Sequence, residues 1–235
     1  MSRAIAAAGA IALCCLIGTL AGALLRPMKG ASEGCLTGAA AGIMLAAAAE
    51  LVSSAMAMPG TKILVPAGMI CGALLIGRVD AMGDRIGDAL SLGRDARGAL
   101  MLALAMAIHH FPEGAAAGVS LAAPEAAKTV TLGIALQNIP EAMIIVPPLI
   151  KAGAGRKKTA AICIASALSS VAGVFFGSLA DRLSRAALPA ALAFAGGTML
   201  YVVMGTMLPA SRTLGGRRAT LLATAICAIT LTAAR

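Results

Sequence analysis

Eight predominantly apolar runs follow one another along the chain, at about Ala4–Leu25, Cys35–Met58, Ile63–Gly77, Ala99–Ala123, Ala126–Ile150, Thr159–Leu179, Ala186–Ala210 and Ala219–Ala234. A transmembrane α-helix needs roughly 20 such residues, with a range of about 17–25. Six of the runs meet that length, and the third and eighth are short. Transmembrane β-strands would need period-2 alternation and girdles of aromatic residues. The runs do not alternate, and the chain has only four Phe, one Tyr and no Trp. Hydrophobic residues make up 60% of the 235 residues and charged residues 12%, against about 45–50% and about 25% in soluble domains. Such a balance excludes a soluble globular domain, a disordered chain and a disulfide-rich module. The expected fold class is all-α: a polytopic membrane protein with eight transmembrane helices, forming a single transmembrane domain over residues 1–235. The first run exceeds the roughly 7–15 residues of a signal-peptide core, so it is taken as a span.

The net charge of +9 is distributed by topology. Thirteen of the 19 basic residues fall after runs one, three, five and seven, and six fall on the opposite side. The positive-inside bias then places both termini outside the cytoplasm. The expected location is the cell (inner) membrane, multi-pass. Because the positive charge is spread over loops rather than gathered on one face, no nucleic-acid partner is expected. The longest connector, residues 78–98, holds four Asp and four Arg and is expected to be a polar cytoplasmic loop. The six Cys lie in or at the edges of apolar runs without any CxxC, so they count as small buried hydrophobes.

Polar residues inside apolar runs are costly and functional by default. The only two histidines, His109 and His110, are adjacent in the fourth run, and three acidic residues fall inside runs: Glu50, Glu113 and Glu141. The segment His109-His110-Phe111-Pro112-Glu113-Gly114 is echoed 28 residues later by Gln137-Asn138-Ile139-Pro140-Glu141-Ala142. At about 100° per helical residue, His109 lies within about 40° of Glu113, and His110 lies about 60° away on its other flank. Gln137 and Asn138 repeat this relation to Glu141. If the two faces meet, two carboxylates, two imidazoles and two amides surround one point. That donor set suits zinc and similar divalent ions. Pro112 and Pro140 leave the carbonyls of Ile108 and Leu136 without their usual partners. Freed backbone of this kind is tolerated in a membrane where it lines a buried or watered cavity, as it does in transporters. A short echo, Ala41-Gly42-Ile43-Met44-Leu45 and Gly196-Gly197-Thr198-Met199-Leu200, relates the second run to the seventh. It suggests inverted helix triplets, one to three and six to eight, around central helices four and five.

These motifs resemble those of the ZIP family of divalent-metal transporters, which carry an HNxPEG-like segment in helix four and an HExPEG- or QDxPEG-like segment in helix five. The chain looks like a compact bacterial-type member. The resemblance implies eight helices, termini outside, a cytoplasmic loop between helices three and four, and transport of zinc into the cytoplasm. Iron, manganese, cobalt and cadmium are the other ions it brings in. It implies that His109, Glu113, Gln137 and Glu141 ligate one metal, with Met44 as a further ligand, while His110 and Asn138 line a second position sharing Glu113 and Glu141. His110 stands where the family usually has Asn, Ala142 where it has Gly, and Ser170 where similar proteins have the Glu of a Glu-Pro pair. No cofactor is implied, since Zn2+ or another divalent ion is the transported substrate. Divalent ions and the lipid bilayer are the expected partners, and a homodimer is compatible with the sequence. The competing readings are an intramembrane metalloprotease, which would need H-E-x-x-H, and a non-transporting membrane metal sensor.

Overall fold

The computed structural model describes residues 1–24, 30–89, 94–122, 124–151, 153–180 and 187–233. They form α1 (Ser2–Leu24), α2 (Ala31–Met56), α3 (Leu64–Ala89), α4 (Arg94–Ser120), α5 (Pro124–Lys151), α6 (Gly155–Ala180), α7 (Ala187–Val202), a π-helical turn (Val203–Met207) and α8 (Leu208–Ala233), with no strand among the described residues. Six stretches are long and apolar enough to cross a membrane, the last being Leu188–Thr232, which runs through α7, the π turn and α8.

Two boundaries differ from the sequence expectation. The 78–98 connector is largely helical, because α3 continues to Ala89 and α4 opens at Arg94; residues 90–93 lie outside the described residues. No proline falls between 78 and 89. Once a helix is nucleated, each added residue gains a backbone hydrogen bond, so charge alone does not end it. The break expected between the seventh and eighth runs is likewise reduced to one residue. Gly216, at φ 62° and ψ −152°, turns the chain inside an otherwise continuous helix. That conformation is essentially open to glycine alone.

The packing is inside-out relative to a soluble protein. On α1 the exposed residues include Ile5, Leu13, Leu16, Ile17, Leu20 and Leu24, whereas Ala4, Ala7, Ala8, Gly18 and Gly22 face inward. Most large side chains of α1, Ile11 excepted, thus face outward, and small ones let helices approach. In hydrocarbon, close van der Waals packing drives helix association in place of the hydrophobic effect.

The principal helix pairs are α1 with α5, α2 with α8, α3 with α7, and α4 with α6. Exchanging α1 with α6, α2 with α7, α3 with α8 and α4 with α5 maps this set of pairs onto itself. The α4–α6 pair is the tightest example. A methyl group added to Gly114 would strike the Ser170 carbonyl, and one added to Gly173 would strike the Phe111 carbonyl. The spacings Gly114–Gly118 and Gly173–Gly177 thus let the two backbones touch beside the first Pro-Glu motif. On the other side, Gly18 of α1 sits against the Ile139 carbonyl and the Ala142 methyl, beside the second motif.

Candidate metal site

The two motifs face each other where α4 meets α5. Pro112 lies inside α4, which continues to Ser120, and Pro140 lies inside α5. Ser169 of α6 donates its hydroxyl to the Ala107 carbonyl at 2.7 Å. This bond pins α6 onto the turn of α4 that leads into the histidines.

His109, His110, Glu113 and Glu141 are all buried, and one ligand atom from each lies within 4.8 Å of the others. The two imidazoles sit edge to face, with centroids 4.9 Å apart and ring planes at 63°. His110 Nε2 is 3.2 Å and His109 Nε2 3.7 Å from Glu141 Oε2. The other nitrogen of His110, Nδ1, is 2.6 Å from Ser166 Oγ. Gln137 and Asn138 are buried beside them at 1% and 0% exposure. Among the described residues, Glu141 Oε1, the Asn138 amide and Ser170 Oγ have no hydrogen-bond partner, and the Gln137 amide neighbours the Glu113 carboxyl.

Such a cluster is unfavourable by itself. An acidic side chain at the centre of a membrane helix costs about 2.5–3.5 kcal/mol on insertion scales. Buried polar atoms without partners each cost roughly 1–3 kcal/mol more. Two carboxylates and two imidazoles converging in a buried interior, with two buried amides on α5, are the groups a divalent cation would satisfy together.

Of the residues expected from the sequence, His109, His110, Glu113 and Glu141 come together directly. Gln137 and Asn138 are buried on the same turn of α5 as Glu141. Met44 is fully buried in the apolar core, in one cluster with Ile134 of α5 and Met199 of α7. The helices that carry the two echoes, α2 and α7, are in contact, with Gly196 against Val52 and Ala48. Ala142 packs with Cys15 and Ala167, and Gly18 across from it leaves room for its methyl. Ser166 lies outside the expected ligand set. The spacing Ser166, Ser169, Ser170 puts three hydroxyls on one face of α6 without saying what they face. Ser170 is wholly buried on that face, against Gly114.

Fold and site together define a multi-pass helical membrane protein with a buried His/carboxylate cluster at its centre. Residues 81–230 match the family described as ZIP zinc transporter. The chain belongs to that family, whose members are transporters rather than enzymes. It is 43% identical to the zinc transporter GufA of Myxococcus xanthus over 122 residues, which is 51% of this chain and 48% of that protein. It is 32% identical to a putative zinc transporter of Arabidopsis thaliana over 152 residues, 62% of this chain and 24% of that one. The matches therefore span about half or less of these relatives' own length.

Proposed function

We propose that this chain moves zinc across the cell (inner) membrane into the cytoplasm, through a site made by His109, Glu113, Gln137 and Glu141. Iron, manganese, cobalt and cadmium are the other ions this donor set accepts. The convergence of buried ligand atoms of His109, Glu113 and Glu141, with His110, within 4.8 Å carries the proposal, and the family and the zinc-transporting relatives support it. The ion replaces its hydration shell with carboxylate, imidazole and amide groups, and the carboxylates neutralise it. No covalent chemistry is needed. Zinc, with no d-electron preference for one geometry, can be handed between ligands as the site turns from one side to the other.

In the proposed topology eight helices cross the membrane, with both termini outside and the 78–98 segment in the cytoplasm. The seventh and eighth crossings divide at Gly216. The pairing of α1 with α5 and α6 with α4, and of α2 with α8 and α7 with α3, supports inverted triplets around α4 and α5. Met44 is a further ligand from α2, and His110 and Asn138 line a second, weaker position.

The test is uptake by purified protein in proteoliposomes, offered zinc and then each of the other ions in turn. Saturable zinc accumulation that requires the protein is expected. Zinc flux no greater than in protein-free vesicles would contradict the proposal.

A further inference from the structure

Glu50 is an acidic residue in an apolar run that the cluster does not use. It is half-buried on α2 and lines a narrow crevice between α2 and α5. The crevice is bounded by Ala47, Glu50, Leu51 and Ser54 on one wall and by residues from Thr129 to Gln137 on the other. Its free space is about 30 Å³, enough for a water molecule. Gln137 reaches it from the buried end, 1% exposed, and its amide also neighbours the Glu113 carboxyl of the buried cluster.

Thr129, Gly133, Gln137 and Glu141 follow one another at intervals of four on α5. They form one stripe, each step rising about 6 Å along the helix. The stripe leads from the crevice mouth to the carboxylate that both histidines face. In the proposed topology its Thr129 end, with Glu50 and Ser54, lies on the extracytoplasmic half.

We infer that Glu50 and Gln137 form an outer capture station for a divalent cation, which Glu50 draws from solution and Gln137 passes to the buried cluster. A lone carboxylate in a low-dielectric cleft concentrates cations there. One negative charge leaves a dication half-neutralised, so the station holds the ion loosely and releases it inward to two carboxylates. Gly133 keeps the passage open. A β-carbon built there meets no atom within 4 Å, so a side chain can start from this position without a clash at its first atom.

This inference rests on the proposed transport site and deepens it. The test compares zinc uptake by the wild-type chain with Glu50→Gln, Glu50→Asp, Gly133→Leu and Glu141→Ala, each as purified protein in vesicles. Glu50→Gln is expected to raise the KM for zinc roughly tenfold with kcat unchanged, and to flatten the dependence of KM on salt. Glu50→Asp keeps the wild-type KM. Gly133→Leu cuts kcat/KM while equilibrium zinc binding to detergent-solubilised protein stays as in the wild type, which also reports that the variant is folded. An unchanged KM and salt dependence in Glu50→Gln, with Glu141→Ala inactive, would overturn the capture station and leave the buried site standing. Wild-type transport by Glu141→Ala would overturn the buried site, and with it the station that feeds it.

Discussion

His110 Nε2 lies 3.2 Å from Glu141 Oε2, across the contact between α4 and α5. With Glu141 ionised, that nitrogen carries the hydrogen, and Nδ1 accepts from the Ser166 hydroxyl 2.6 Å away. If a metal takes Nε2, the hydrogen must move to Nδ1. Ser166 can then accept instead of donate, because a hydroxyl does both. The serine thus orients the ring in either state. Ser166→Ala is expected to weaken zinc at the second position, which His110 lines, about tenfold, the lower end of what losing the partner of a ligating histidine costs. Ser166→Thr keeps the hydroxyl and the affinity. Competition with a chelating dye reads both, and equal affinities in all three proteins would contradict this role.

Glu113 and Glu141 supply the negative charge that stands in for the ion's water. Removing either leaves a desolvated dication short of a counter-charge. Glu113→Ala and Glu141→Ala should each abolish zinc uptake into vesicles. Uptake at the wild-type rate by either variant would remove that residue from the site.

That polar residues of the two motifs would gather inside the bundle was legible in the sequence, because six polar residues in two matching hexapeptides have no ordinary reason to sit in apolar runs. Their mutual approach follows from helical spacing and one helix contact. Ser166 was not legible, since serine is at home in membrane helices and only the α4–α6 approach gives it an imidazole to face. The helix pairs were hidden for a similar reason. A glycine stripe such as Gly114–Gly118 announces a close partner without saying which one. The extension of α3 to Ala89 is not legible, because charged residues end an apolar run without ending the helix.

Acid should compete with metal. A ligating imidazole must be unprotonated and a ligating carboxylate ionised, so binding expels protons and weakens as they become abundant. Zinc affinity is expected to fall steadily from neutral to mildly acidic pH. An affinity constant over that range would exclude His109 as a ligand.

The α4–α6 contact fixes where the first motif lies. Gly114→Ala would place a methyl against the Ser170 carbonyl, forcing the helices apart at a cost of about 1–3 kcal/mol. Its thermal midpoint in detergent should drop by several degrees. Gly133→Ala, with open space around it, should hold or slightly raise the midpoint, since alanine favours helix by about 1 kcal/mol over glycine. Equal midpoints for the two variants would contradict the packing described.

The number of ions follows from charge. Glu113 and Glu141 neutralise one dication, and a second would leave about two uncompensated positive charges in a low-dielectric interior. One zinc per chain is expected at modest zinc concentration. Ser170→Glu adds a carboxylate on the α6 face that Ser166 shares, and should raise the count towards two. Equilibrium dialysis measures both, and two tightly held ions in the unmodified chain would contradict the count.

The position of the bound ion bears most directly on the whole assignment. Anomalous scattering at the zinc edge, from crystals of the zinc-loaded protein, locates it without relying on activity. The strongest peak is expected between α4 and α5, at about 2.0–2.2 Å from a nitrogen of His109 and from carboxylate oxygens of Glu113 and Glu141. A strongest peak elsewhere, with no anomalous density among these residues, would contradict the assignment.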